Sequence, residues 1–307
     1  MSRPPATFSV IIPTRDRPQQ LAVCLESLAE QNYPRERFEV VVVDDASELS
    51  LDPVVAVFRE RLTLTLLKQS RSAGPSVARN QGAACATGEY LAFTDDDCSP
   101  ASDWLQRLAT RFAATPGHLI GGRVINALTE NPYSTATHVI LDVIYEYYNP
   151  QQGRAHFFPT SNFALAADRF RELGGFNENW PLAAAEDREF CYRWLQRDFL
   201  MTHAPEATVY HRHCLTLHSF CELHFRYGRG AYHYHLLRAS GPDQGGLKPD
   251  WHFYWTCLRY PFRHMAKPRA AVIVALLFIW QVLNAAGYFW QQSHRATEKE
   301  GTSPMQP

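Results

Sequence analysis

Three consecutive carboxylates, Asp95-Asp96-Asp97, close the short apolar run Glu89-Tyr90-Leu91-Ala92-Phe93, which has strand character. Burying an ionised carboxylate without a partner costs several kcal/mol. The three must therefore meet water, basic side chains or a divalent cation. Hard oxygen ligands at a strand end suit Mg²⁺ or Mn²⁺ held together with phosphates. A solvated acidic turn capping a helix that starts near Ser102 is the alternative for the same residues. Asp44 and Asp45 follow the run Val41-Val42-Val43. Carboxylates placed there can accept hydrogen bonds from a base N–H or from ribose hydroxyls, or can cap a turn. In Arg71-Ser-Ala-Gly74-Pro-Ser-Val-Ala-Arg79-Asn80 a glycine before a helix allows close backbone approach, and the neighbouring arginines can meet phosphate. A plain helix start with solvated arginines fits as well, and the segment is neither a Walker loop nor a GxGxxG fingerprint. Glu186-Asp187 opens a helix. A carboxylate there can serve as general base toward a hydroxyl, or can complement the helix dipole.

These groups need a scaffold, and the first half of the chain supplies one by alternation. Strands are expected at Phe8–Ile12, Phe38–Val43, Leu62–Leu67 and Glu89–Phe93, with helices at Arg17–Glu30, around Pro53–Arg61 and at Ser76–Ala86. Strand–helix alternation with short links predicts right-handed crossovers and an α/β fold with a mostly parallel, helix-covered sheet. Ligands bind such sheets at the carboxyl ends of the strands, where Thr14, Arg15, Asp44, Asp45 and Asp95–Asp97 gather. Beyond Gly117 the alternation weakens. Asn131–Gly153 reads as an irregular or partly helical insertion, followed by a helix ending at Gly174-Gly175, another at Glu186–Gln196, a long aromatic-rich one at His218–Leu237 and a Gly/Pro linker at Ser240–Pro249.

Composition bounds the partners. The 307 residues, 46% of them hydrophobic, suit one large domain or a domain with an appendage. A net charge of −1 without a long basic run gives no case for nucleic acid. Seven cysteines without a CxxC pair read as reduced thiols in a cytosolic compartment. No signal peptide is read at the N-terminus, so residues 1–268 are expected on the cytoplasmic side. Ala270–Trp290 carries no formal charge and is near the length of a bilayer crossing. Arg259, Arg263, Lys267 and Arg269 precede it, which predicts a single-pass inner-membrane protein with its main domain inside. A helix lying on the membrane is the other reading.

Taken in order, Ser9-Val-Ile-Ile-Pro-Thr14, Val43-Asp44-Asp45-Ala-Ser47, Gly74 with Ala78-Arg79-Asn80, Asp95-Asp96-Asp97, Gly174-Gly175-Phe176-Asn177-Glu178, Glu186-Asp187 and His211 resemble the family 2 glycosyltransferases. The resemblance covers residues from about 8 to 215. It implies a GT-A fold, Rossmann-like, over residues 1–215, leaving a helical extension at 216–268, a transmembrane or membrane-associated helix at 269–291 and a tail at 292–307. It also implies inverting transfer of a sugar from a nucleoside-diphosphate sugar to a hydroxyl of a glycan, lipid-linked or other acceptor. Pro13, Thr14, Arg15, Asp45, Gly74, Arg79, Asp95 and Asp96 would bind the nucleotide sugar. Asp97 and Asp95, with His211, would hold Mg²⁺ or Mn²⁺. Asp187 would be the base, with Glu186 the next candidate. Many relatives carry an aromatic residue where this chain has Arg15, whose guanidinium can also stack on a flat ring.

Three other readings compete. A non-catalytic binder of sugar nucleotides or glycans would have no need of Asp95, Asp97 and Asp187 together. A nucleotidyltransferase would start with a Gly-rich basic loop where Pro13-Thr14-Arg15-Asp16 stands. A processive synthase would carry several spans and a QxxRW element, of which only Arg193-Trp194 is present. Transfer of one or a few sugars in surface polysaccharide or glycolipid assembly is the expectation.

Overall fold

The computed structural model describes residues 6–149, 155–241 and 251–301. Its strands are β1 (Phe8–Thr14), β2 (Phe38–Asp44), β3 (Leu64–Lys68), β4 (Tyr90–Phe93), β5 (Cys98–Pro100), β6 (Leu119–Asn126), β7 (Phe163–Ala166) and β8 (Met201–His211). Its α-helices are α1 (Pro18–Ala29), α2 (Asp52–Phe58), α3 (Pro75–Cys85), α4 (Trp104–Ala114), α5 (Pro132–Tyr148), α6 (Ala167–Leu173), α7 (Glu186–Leu195), α8 (Leu217–Ala239), α9 (Trp251–His264) and α10 (Lys267–Gly301).

All eight strands form one sheet in the order β3-β2-β1-β4-β7-β6-β8-β5. It is parallel from β3 to β4 and again between β6 and β8, while the β4–β7, β6–β7 and β5–β8 pairs are antiparallel. The chain moves outward from β1 to β3, then returns through α3 to β4 on the other side of β1. Strand order therefore reverses between β1 and β4, the place where open α/β sheets bind ligands. The apolar periodicity of α1 holds: Leu21, Cys24, Leu25 and Leu28 are fully buried. The continuous run Val40–Val43 is buried too, as a strand covered on both faces requires. The insertion expected to be irregular or partly helical contains the 17-residue helix α5. Residues 150–153 of it, 242–249 of the expected linker and 302–307 of the tail lie outside the described residues.

Two compact units share the chain. The first comprises Met1–Leu128, Tyr145–Trp180 and Phe190–His213, and contains the sheet. The second comprises Thr129–Ile144, Pro181–Glu189 and Cys214–Pro307. A buried amide clips the first unit: Asn162 accepts from the Trp104 indole at 2.9 Å and donates to the Arg123 and Ala207 carbonyls at 3.0 and 2.9 Å.

In the second unit α8 and α10 meet backbone to backbone. A Cβ on Gly228 would lie 2.0 Å from the Asn284 carbonyl oxygen, and one on Gly287 would lie 2.0 Å from that of Phe225. Arg229 donates to Gln291 at 2.8 Å and sits 4.6 Å over the Trp290 ring. Thr216 and Ser219 form a capping box at the start of α8. Within α10, Lys267–His294 is long and apolar enough to cross a membrane, with a mean hydropathy of 2.0 over its apolar 18-residue stretch. Ile273, Leu277 and Trp280 form its buried stripe, while Val272, Phe278, Val282 and Phe289 are exposed.

Candidate active site

The register of the sheet brings the acidic triplet beside the end of β1. The Thr14 hydroxyl donates to Asp96 at 2.7 Å, and both side chains are buried. Arg17, just before α1, reaches Asp96 at 3.1 Å and Asp97 at 3.3 Å through one guanidinium nitrogen. Arg79, buried on α3 and 5.6 Å from the Phe176 ring centre, donates to Asp95 at 2.9 Å. His211 Nε2 lies 3.1 Å from Asp97. It is delivered by strand pairing, since β8 runs antiparallel to β5 with His211 opposite Cys98. Each carboxylate thus has a basic partner, which lets three adjacent acids remain at a sheet end.

Their environments set Asp96 and Asp97 apart electrostatically. Burial pushes the Asp96 carboxyl up to about 6, against the opposing pull of Arg17 and the Thr14 hydrogen bond. Burial also acts on Asp97, but His211, His213 and Arg17 outweigh it and hold Asp97 far below the carboxylate range. His211 is pushed down by burial and lifted above its ordinary value by Asp97. His213 stacks on His211 with ring centres 5.1 Å apart.

A second cluster orders the loops around the site. Asp45 accepts from the Ser72 hydroxyl at 2.8 Å and from the backbone N–H groups of Ala73 and Gly74 at 2.7 and 3.1 Å. It thereby fixes the entry to α3, where Gly74 takes a φ of +88° that favours glycine. The two oxygens of a carboxylate offer about four lone-pair sites, and the Gln69 side-chain amide, in its donating orientation, supplies a fourth donor at 2.7 Å. Arg15, exposed, donates to Ser72 at 2.7 Å, and Pro13 is half-buried. On the far side of α3, Asn80 donates to the Phe176 carbonyl and to Glu178, both at 2.9 Å, and accepts from the Phe176 N–H at 2.8 Å. Gly175 has a φ of +71°, and a Cβ there would lie 2.6 Å from the Asn80 side-chain oxygen.

The first unit therefore unites Thr14, Arg79, Asp95, Asp96, Asp97 and His211 in one network, with Arg15, Asp45 and Gly74 in the adjoining loop. Glu186 and Asp187 stand in the first turn of α7, half-buried, in the second unit. Asp187 accepts from the Arg188 N–H at 2.8 Å, and Ala185 ahead of the helix has a φ of +66°. Sequence reasoning missed Arg17 and His213. The charged run Arg15-Asp16-Arg17 at a strand end was the available signal for the first.

Two side chains here could offer an oxygen and a nitrogen to a divalent ion. Ligand atoms of Asp97, Cys98 and His211 lie within 4.8 Å of one another. Burial raises the Cys98 thiol well above its ordinary value, so it keeps its proton and is a poor ligand. A carboxylate and an imidazole remain, with Asp95 two residues away. A cavity of about 250 Å³ borders Asp97, Cys98 and Arg212.

The family model described as glycosyl transferase family 2 matches residues 9–174. Over 238 residues the chain is 27% identical to the pre-mycofactocin glycosyltransferase of Mycobacterium tuberculosis, covering 75% of this chain and 48% of that protein. It is 35% identical over 117 residues to glycosyltransferase AglE of Haloferax volcanii, 38% of each chain. The chain thus spans half or less of the length of these curated relatives. Among solved structures, the mannosyltransferase PcManGT from Pyrobaculum calidifontis, in complex with GDP-Man and Mn²⁺, superposes with a TM-score of 0.64 at 19% identity, covering 93% of this chain and 88% of that one. S. aureus TarS 1-349 in complex with UDP-GlcNAc gives 0.55 at 18% identity, covering 95% and 92%. The fold is of the GT-A kind, and the chain belongs to the family 2 glycosyltransferases.

Proposed function

We propose that this chain transfers a sugar from a nucleoside-diphosphate sugar to a hydroxyl acceptor with inversion, within residues 1–215. The observation that carries the reading is the network of base-paired acids at the strand-order reversal, with Asp97 and His211 side by side in it. Neighbours of the same fold hold GDP-Man with Mn²⁺ and UDP-GlcNAc. Asp97, Asp95 and His211 are the residues we assign to a divalent ion, which when bound supplies positive charge to the leaving diphosphate. Arg17 adds a guanidinium to the same neighbourhood, while the loop of Arg15, Asp45 and Gly74, with Pro13 and Thr14, takes the nucleotide. Asp187, by its match to the family motif, removes the acceptor proton as the oxygen attacks the anomeric carbon opposite the diphosphate. The C–O bond to phosphate breaks in the same displacement, and configuration inverts. Glu186 is the next candidate for the base.

The test is Asp97→Ala assayed with a panel of nucleotide sugars and Mn²⁺. Metal-dependent turnover should vanish while the fold, read by circular dichroism, is kept. Full activity in the presence of a chelator would sink the assignment.

The acceptor reading is a surface polysaccharide or glycolipid at the cytoplasmic face of a membrane, approached through α10. Its support is the apolar length of Lys267–His294 and the basic residues ahead of it. One observation favours a helix lying in one leaflet over a crossing: α10 is packed along α8, which carries Glu222, Arg226 and Arg229. Each such charge costs about 2.5–3.5 kcal/mol at the bilayer centre on an insertion scale. Reagent labelling of residues 292–301 from the two sides of sealed vesicles separates the two, since only a crossing puts that tail opposite the catalytic residues.

A further inference from the structure

The three C-terminal helices enclose a cavity of about 850 Å³ that takes no part in the chemistry above. That volume is in the range of small-molecule sites. Ala231 and His235 of α8 line its floor, Trp251 and Trp255 of α9 one wall, and Phe278 and Phe289 of α10 the other. The four wall residues are exposed by 71, 59, 58 and 63%. An apolar area of this kind on a folded chain marks a binding surface. Among the described residues neither a carboxylate nor a lysine or arginine lines it; the polar groups include those of His235, Tyr254, Gln281, Asn284, Tyr288 and Gln292. The diphosphate of a nucleotide sugar would find no lysine or arginine among the described lining residues, whereas a hydrocarbon chain loses nothing and gains burial.

Cations stand around this slot. The Arg259 guanidinium lies 5.7 Å from the Trp255 ring centre. Burial, with Arg188 and Arg238 nearby, holds the His235 imidazole below its ordinary value. Arg188 directly follows Asp187, and the same segment touches α8, since a Cβ on Gly230 would lie 2.7 Å from the Ala184 carbonyl oxygen. Ala231, the next residue, faces the cavity. One helix thus has the segment of the proposed base on one side and the apolar slot on the other.

We propose that the cavity between α8, α9 and α10 holds the hydrocarbon chain of the acceptor, an amphiphile with one long chain and an anionic head directed toward Arg188. The proposal rests on the transferase reading and names the substrate class of that site.

The test uses the full chain in phosphatidylcholine nanodiscs and a hexadecyl phosphate bearing a diazirine on its chain. Photolabelling should saturate and map to the lining residues of α8, α9 and α10. Ala285→Phe, which fills the cavity, and Trp255→Ala, which opens an exposed wall without threatening the fold, should each weaken half-saturation about tenfold (~1.4 kcal/mol). Val272→Phe, exposed and outside the lining, should change nothing, and the uncharged hexadecanol probe should bind more weakly than the phosphate. Labelling that rises linearly with probe and ignores both cavity variants overturns the proposal and leaves a lipid-facing surface. Mn²⁺-dependent binding of GDP- and UDP-sugars in the same discs reads the donor half separately. Its absence in the wild type would overturn the transferase reading while the labelling result stands.

Discussion

Arg17→Gln tests how the acidic triplet is held. The guanidinium touches Asp96 at 3.1 Å and Asp97 at 3.3 Å, and Asp96 is 3% exposed. Breaking a fully buried pair costs ~3–5 kcal/mol. The Arg17 side chain, however, is 47% exposed, so solvent screens much of that and a loss of ~1–2 kcal/mol is expected. For a domain of this size the midpoint of thermal unfolding should fall by about 2–8 °C. The sign reverses with metal. Arg17 and a divalent ion are both cations drawn to Asp97, so removing the arginine deepens the negative potential and removes a competitor. Mn²⁺ should therefore stabilise Arg17→Gln by more degrees than it stabilises the wild type. Differential scanning fluorimetry with and without Mn²⁺ gives both numbers. An unchanged midpoint together with an equal Mn²⁺ shift in the two proteins would refute the reasoning.

Asn162→Leu should cost ~3 kcal/mol or more, because the Trp104 indole and two buried carbonyls lose their partner; urea unfolding followed by tryptophan fluorescence measures it, and a loss under 1 kcal/mol argues against the clip. Asn80→Asp keeps the acceptor for the Phe176 N–H but sets carboxylate against the Phe176 carbonyl and Glu178, so the Gly174–Glu178 turn should loosen and exchange its amide hydrogens faster by mass spectrometry. Burial pushes the Glu39 carboxyl up, yet hydrogen bonds from Ser9, Thr87 and Gly88 outweigh it and hold it below its ordinary value. Its stabilisation is then present above the unfolded pKa of about 4.3 and lost as pH falls through the folded value. The midpoint difference between wild type and Glu39→Gln should accordingly shrink from pH 6 to pH 3, and a constant difference would count against it.

What the sequence made legible follows the range of the forces involved. The alternation from Phe8 to Phe93 is local, carried by side-chain period and turn residues, and the first four strands and three helices stand where that pattern put them. The gathering of acids at strand ends follows from the same alternation plus the topology of parallel sheets. Strands β6 and β8 were not foreseen. Leu119–Asn126 includes Gly121 and Gly122, which give no strand propensity, and they stand there because a Cβ on Gly121 would lie 1.9 Å from Phe158 and one on Gly122 2.1 Å from the Ala207 carbonyl oxygen. Such close approach is a property of the packed sheet. The same holds for α10. Its apolar length is visible in the chain, but the glycines that seat it on α8 are Gly228 and Gly287, 59 residues apart, and neither stands out alone.

The division of labour within the triplet shows where local reasoning ends. As neighbours in the chain, Asp95, Asp96 and Asp97 are chemically equivalent and would repel one another alike. They diverge because each meets a different distant element: Arg79 from α3 for Asp95, Thr14 from the end of β1 for Asp96, and His211 from β8 for Asp97. The middle acid is driven toward its protonated form by burial, while the last is kept ionised by two histidines and an arginine. A triplet that were only a solvated turn would need none of these partners. A strand pairing that delivers His211, with His213 and the half-exposed Arg17, keeps one carboxylate charged beside an imidazole. A helix cap requires none of it.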